Sequence, residues 1–431
     1  MSRRLFFFVV IVSLFSISVL VWYFFFTTPK TADTLATTKN ALSGDQPPAR
    51  FGFITQYFNG GDNTGTTTTE VTAAGEQPLL QIWNKPATGQ AFVSISVMRE
   101  VFSTSTGAGT TTTTTRKTTR ATTTLFMFFD KTTGYIYGHN IDSGKTYQIS
   151  NTTIPGIYDS YIFNNGKRIL LRYLDIDRKT IISVLANIPI VSENGNPLPL
   201  EGTTLLPKNI TSVSISASTE KLSYLIPNTI GSSIYTISPK GQSLTTTSPF
   251  SEWSLSYGGE NLYATSKPSA FVEGMTVLLP SFTRLVGNKT GLTSLPSQNG
   301  TLLNSMWSSS GLLTFLFSNK GVTRVISTQT LSSKCAWDKL NFLICAVPLS
   351  LPRVSEGLPD DWYQGRISFQ DSLSLVDSGT GIEYPLYSFE DSVGPVDVLH
   401  IITTNDHKLV GFIRKQDNSL WLLKTNLISN E

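Results

Sequence analysis

The chain has 431 residues, of which only 15% are charged, a net charge of +3 and two cysteines. So weak a positive balance, with no Lys/Arg cluster, argues against nucleic-acid binding; Arg116, Lys117 and Arg120 lie in a threonine tract and read as a solvated loop. The charged fraction is well under the usual quarter of a soluble domain, and Thr, Ser, Asn and Gly supply the polarity instead, as suits exported β-proteins.

Arg3 and Arg4 precede an apolar run from Leu5 to Phe26 that is broken only by Ser13, Ser16 and Ser18. As a helix this run reaches about 33 Å, enough to cross a hydrocarbon core of about 30 Å. Trp22 and Tyr23 suit the aromatic belt at its far end. The arginines predict a cytoplasmic N-terminus at 1–4, a transmembrane signal anchor at 5–26 and an extracytoplasmic remainder, in a single-pass protein of the cell membrane. The competing reading is a cleaved signal peptide. Its apolar region is normally shorter, about 7–15 residues, and Phe24 to Pro29 makes a poor cleavage site.

Residues 27–78 read as a flexible Thr-rich tether, with Pro47-Pro48, Gly60-Gly61 and the Thr66–Thr69 tract, because such composition offers little apolar surface to offset ordering entropy. A second Thr-rich piece, 103–124, is expected as an insertion in a hairpin loop. From Leu79 onward no long amphipathic helix stands out. Short apolar runs are punctuated by Gly, Asn, Asp and Ser, the pattern of an all-β array.

These runs repeat weakly. One element places two apolar residues seven apart around a polar turn: Ile162/Ile169, Ile215/Leu222, Leu255/Leu262, Met306/Leu313, Cys335/Phe342 and Ile402/Leu409. A second follows most of them, as in Gly231 to Gly241 and Asn418 to Lys424. Together they make about four strands per unit, and four-stranded units repeated around a ring are β-propeller blades. The expectation is an all-β, seven-bladed β-propeller over 79–428, with six or eight blades as alternatives. The units are expected at 79–150, 157–205, 210–248, 250–296, 302–332, 334–388 and 394–428.

Cys335 and Cys345 flank a turn at Asp338 to Asn341, which brings them nearly opposite on adjacent strands. An oxidising compartment then allows a disulfide, against the alternative of two buried free thiols. With no histidine nearby they do not form a zinc site.

The strand–turn–strand unit resembles the WD40-like repeats of TolB-type propellers. Ser160 to Tyr173, Ser214 to Leu225 and Trp307 to Phe317 carry its first half, and Gly231 to Gly241 its second. The Pro-Asp-Gly signature of that family is mostly absent. Anchor, tether and propeller together look like uncharacterised membrane-anchored bacterial propeller proteins. The resemblance implies an interaction platform and brings no catalytic residues.

The residues themselves offer little chemistry. His139, His400 and His407 stand apart, with His400 expected in a core strand, and there is no G-x-S-x-G elbow, H-E-x-x-H or phosphate-binding glycine loop. Calcium-loop spacing is absent too. No cofactor is implied. The sequons at Asn151, Asn209, Asn288 and Asn299 read as chance in so Thr/Ser/Asn-rich a chain.

The best binding candidates are Asp360, Asp361, Trp362, Tyr363 and Gln364, in the long insertion Pro348 to Gly365. Aromatic faces stack on sugars while carboxylates accept hydroxyl hydrogen bonds; the plainer reading is a turn with aromatics packed between blades. The chain therefore reads as a non-catalytic platform for a protein or an envelope polymer. A carbohydrate-active propeller enzyme using channel carboxylates and a subunit of an envelope complex are the rivals.

Overall fold

The computed structural model describes residues 78–106, 112–308, 311–318, 321–351, 357–389 and 394–425. The expected anchor at 5–26 and the tether through residue 77 lie outside the described residues. Among the described residues no helix is long and apolar enough to cross a membrane.

Seven four-stranded antiparallel sheets follow one another along the chain. In six of them the four strands are consecutive in sequence. The seventh is assembled from both ends of the propeller: Val398–Thr403, Leu409–Arg414 and Leu420–Lys424 pair in order, and Leu79–Trp83 adds the fourth strand. Leu79 pairs with Leu423 and Leu80 with Leu422. The ring is thus a closed seven-bladed β-propeller, as the repeat count predicts.

Two boundaries differ from expectation. Leu79–Trp83 belongs to blade seven, so blade one starts at Ala87. Thr293–Pro296, expected at the end of blade four, is the first strand of blade five, because the turn after Ser297 pairs Pro296 with Leu302. The Thr-rich stretch expected as a loop insertion instead continues two paired strands. Ala87–Thr106 and Thr112–Asp130 form one ladder out to Thr106↔Thr112. Threonine's branched Cβ suits such extended backbone.

The first strand of each sheet lies toward its counterparts in neighbouring sheets, which makes it the inner, channel-lining strand. Apolar residues of adjacent blades interdigitate between the sheets. Phe163, Leu170 and Leu185 of blade two meet Val213, Leu222 and Tyr224 of blade three; Ile344 and Leu373 of blade six meet Val398, Val410 and Phe412 of blade seven. The ring therefore has a sandwich core between successive blades, with about 25 cal/mol gained per Å² of apolar surface removed from water.

Hairpin chemistry sets the registers. Ile162 pairs with Ile169, Ile215 with Leu222 and Met306 with Leu313, as the seven-residue spacing implies. In blade two Asn164 and Asn165 take φ of 51° and 46°, a conformation that asparagine tolerates better than most residues. In blade four the tighter Gly259-Glu260 turn pairs Gly258 with Asn261, so Leu255 faces Ala264 rather than Leu262. Cys335 pairs with Cys345 instead of Phe342. Ile402 pairs with Gly411 beyond a bulge.

Candidate functional site

Cys335 begins the inner strand of blade six and pairs with Cys345, close to Pro348, where the long insertion leaves the sheet. The insertion and the starts of the inner strands therefore share one end of the ring. One construction is built there, and a second, the channel, runs from that end along the inner strands.

The first is the insertion. Asp360–Tyr363 forms a single helical turn, and Trp362 is buried while Tyr363 is half exposed. Beneath it lies an ionic cluster with no exposed surface at its centre. Lys334 Nζ is 2.7 Å from Asp371 Oδ2 and 2.5 Å from Asp397 Oδ1, and donates to the Val398 carbonyl at 3.0 Å. The Trp362 indole N–H donates to Asp397 Oδ2 at 2.9 Å, and the Ser368 hydroxyl and the Phe369 N–H donate to the same oxygen. Lys415 lies 3.4 Å from that oxygen and donates to the carbonyls of Trp362 and Ile367. The two ammonium groups also sit over the Trp362 ring, 4.8 and 4.3 Å from its centroid.

Two lysines and two aspartates give a cluster of zero formal charge, as burial demands. The aspartates respond differently. Burial dominates at Asp371, raising its pKa to about 6 against the pull of Lys334. At Asp397 burial is outweighed by Lys334, the Phe369 N–H and Lys415, and its pKa falls below the usual carboxylate value. Burial lowers the pKa of Lys415 despite Asp397.

The insertion reaches from blade six as far as blade four. Asp360 Oδ2 accepts a hydrogen bond from the Ala270 N–H at 2.9 Å. Asp361 pairs with Arg366 at 2.8 Å, and the Tyr363 hydroxyl donates to Ser333 Oγ at 3.1 Å. Between the insertion and the loop 267–272 opens a cleft of about 700 Å³, lined by Glu252, Lys267, Phe271, Val272, Asp360, Asp361, Gln364 and Arg366. Phe271 and Val272 are 75% and 66% exposed, an apolar pair beside charged walls. Of the five residues singled out in sequence, Asp360, Asp361 and Gln364 line this cleft. Trp362 serves the buried cluster, and Tyr363 lies outside the lining.

The second construction is the channel. A cavity of about 460 Å³ is lined by the inner strands of blades seven, one and two, with Ile215 and Ala217 from blade three. Three of these strands carry an extra residue near their starts. In blade one two partner steps, Phe129 to Met127, face three from Thr88 to Ala91. In blade seven Leu399 to Ile402 faces Ile413 to Gly411, and in blade two Ile157 to Asp159 faces Tyr173 to Arg172. Each is a β-bulge, which re-aims side chains.

The bulges deliver Gln90, Asp159 and His400 to one cavity. His400, expected in a core strand, is instead exposed to the channel at φ 47°; the bulge turns it out of the core. Its pKa is lowered, chiefly by desolvation among the surrounding strands. Asp159 accepts from Arg172 at 2.7 Å and from the Tyr161 hydroxyl at 2.9 Å, while buried Arg172 also donates to the Ile210 carbonyl. Burial raises the pKa of Tyr161 far above the ordinary phenol value. Gln90 donates to the His400 carbonyl, which ties blade one to blade seven.

Asp159 is the single carboxylate among the described residues lining this cavity, so the pair of carboxylates used in glycoside hydrolysis is not assembled there. His139 is buried and bonded to Thr146 Oγ1; His407 lies 2.9 Å from buried Asp338, whose pKa burial raises. Among the described residues no group of three His, Cys, Asp or Glu is placed to hold a metal ion. Cys335 and Cys345 are joined as a disulfide with Cα atoms 4.1 Å apart. The channel constellation escaped sequence reading because bulges leave no periodic mark and show only against the partner strand.

No family model matches the chain, and no curated protein matches it in sequence. Among solved structures it is similar to an oligogalacturonate lyase in complex with manganese, at 9% identity and a TM-score of 0.46, covering 79% of this chain and 99% of that one. It is also similar to the Cps50 (Swd1) β-propeller domain of Myceliophteria thermophila, at 7% identity and 0.42, covering 70% and 93%. A third similarity is to hydrazine synthase of Kuenenia stuttgartiensis, at 10% identity and 0.42, covering 64% and 78%. At such identities and scores nothing of their chemistry is carried over.

Proposed function

We propose that this protein is an exported, membrane-anchored binding platform, without catalysis, that takes a protein or an envelope polymer in the cleft between the blade-six insertion and the loop 267–272. The observation that carries the reading is the prior fixing of the insertion: buried Lys334, Asp371, Asp397 and Trp362 hold its base, and Asp360 fastens its tip to Ala270. A preformed cleft binds without the cost of ordering a loop. Exposed Phe271 and Val272 beside charged walls suit a partner with an apolar anchor and a polar rim. The anchor-like Leu5 to Phe26 and the loose TolB-type resemblance support the location at the cell membrane and the platform role.

The carbohydrate-active enzyme is the second reading, since Glu252, Asp360 and Asp361 share the cleft. Each is already engaged: Glu252 with Lys267 at 3.3 Å, Asp361 with Arg366, and Asp360 with the Ala270 N–H. Binding is therefore favoured over proton transfer. A photo-crosslinking residue at Phe271 in the full-length membrane protein tests this, with Ile176, 98% exposed on blade two, as the control. A defined adduct at 271 and none at 176 is expected. Equal labelling at both positions overturns the platform reading, and adducts of fixed stoichiometry with one membrane protein point to an envelope complex.

A further inference from the structure

We propose that the channel cavity between blades seven, one and two is a second binding site, separate from the insertion cleft, for a small neutral hydroxylated ligand, a saccharide ring or comparable polyol.

Geometry supports this first. Three successive inner strands each spend one extra residue at the same end of the ring, and the result is that Gln90, Asp159 and His400 border one space. Bulges concentrate beside binding and active sites because they alter a side chain's aim without breaking the sheet. His400 also holds a left-handed backbone conformation that non-glycine residues seldom adopt. A cavity of about 460 Å³ lies within the range of about 300–1,000 Å³ typical of small-ligand pockets.

The chemistry of the lining selects the class of ligand. Gln90 Oε1 and Ser160 Oγ are buried with no hydrogen-bond partner among the described residues, although buried polar atoms are usually satisfied. Tyr161 donates its proton to Asp159, which leaves the phenol lone pairs as acceptors. Gln90 Oε1 and the Tyr161 oxygen accept while the Ser160 hydroxyl both donates and accepts, and a ligand hydroxyl, which also does both, answers this set. A cation is disfavoured, since Asp159 already has Arg172 at 2.7 Å. An anion is disfavoured because no Lys or Arg lines the cavity among the described residues while Asp159 does. Apolar and aromatic walls from Phe92, Tyr161 and Ile402 match the C–H faces of a sugar ring.

The source of the ligand is either a free sugar or the end of an envelope glycan, and one experiment separates them. The chain contains three histidines, so imidazole C–H resonances of the full-length protein in detergent give few, resolved signals. His400→Ala assigns the channel signal. Glucose, galactose and N-acetylglucosamine serve as free sugars, and chitotetraose as a polymer end. The expected result is a saturable shift of the His400 signal by at least one probe, with His139 and His407 unmoved. Gln90→Ala and the near-isosteric Tyr161→Phe, confirmed folded by thermal melts, each weaken binding about tenfold, as loss of one enclosed hydrogen bond predicts. Tighter binding of chitotetraose than of any monosaccharide assigns the polymer end; equal or tighter binding of a monosaccharide assigns the free sugar. The proposal fails if no probe shifts His400 at millimolar concentration, or if both folded variants bind as the unsubstituted protein does.

Discussion

Asp360 of blade six holds the backbone N–H of Ala270 in blade four, with 2.9 Å between donor and acceptor. A single carboxylate oxygen thereby spans blade five. Asp360→Ala is expected to leave the ring folded, with about 1–3 kcal/mol lost as befits a hydrogen bond to a charged group. Amide exchange at 270–272 rises sharply, while exchange in the inner strands stays unchanged. Uniform acceleration throughout the propeller contradicts the local role given to this bond.

Lys334 has no exposed side-chain surface and lies between two carboxylates. Lys334→Met keeps the length of the side chain and removes its charge, which leaves Asp371 and Asp397 sharing a buried space with Lys415 alone. Loss of one partner from a buried ionic group typically costs about 3–5 kcal/mol. Denaturant titration measures it, and a cost near zero refutes the cluster's importance.

Asp371 sets a pH dependence with a definite sign. Its pKa of about 6 in the folded protein exceeds the ordinary aspartate value, so the folded state retains a proton that the unfolded state has released. Stability from this group is full below about pH 4 and declines as pH rises to about 6, by at most about 3 kcal/mol. Asp397, shifted the other way, acts only as pH falls below the usual carboxylate value. Asp371→Asn should remove the decline in a series of denaturant midpoints between pH 4 and 6; an unchanged slope contradicts the assignment.

The disulfide closes a short loop, since its cysteines are ten positions apart. Chain-entropy scaling for so small a loop gives about 2–3 kcal/mol. Cys335→Ser with Cys345→Ser is expected to lower stability by that amount in the absence of reductant and to abolish any effect of adding it. A double variant as stable as the parent indicates that the thiols are unbonded in the isolated protein.

Gly89 sits at the blade-one bulge with φ of 62°, and an added Cβ there meets Ser160 Oγ and, at 2.9 Å, the Ser160 carbonyl. Gly89→Ala is expected to cost about 1–3 kcal/mol through backbone strain, with the His400 imidazole signal displaced as the channel wall shifts. Gly144→Ala, whose φ of 69° is similar but whose Cβ meets nothing within 4 Å, serves as the control for conformation alone.

The blade count was legible in sequence because hairpins announce themselves locally. Ile162/Ile169 and Met306/Leu313 are direct partners across a turn, so their spacing is the register itself. The closing strand was hidden for the opposite reason. Leu79–Trp83 looks like any other short apolar run, and only its partner far along the chain, Leu420–Lys424, tells which sheet it completes. In the insertion, composition identified Asp360, Asp361 and Gln364 as cleft residues. The plainer reading of packed aromatics holds for Trp362, which is buried, but its partner Asp397 was hidden, because that contact rests on Lys334 and Lys415 from other parts of the chain. Bulges at Gln90, Tyr158 and His400 are invisible for a related reason: an extra residue shows only against the partner strand.

Ring closure by Leu79–Trp83 also sets an order of events in the life of the chain. The first propeller strand to be synthesised finds its partner only when Leu420–Leu423, in the last strand, has been made. Until then it presents open backbone groups, and so does the edge it will cover. A product cut short anywhere in blade seven is therefore not a slightly smaller ring but an open one with two unpaired edges. The strand Leu420–Lys424 acts as the clasp, since the ring closes only through its pairing with Leu79–Trp83.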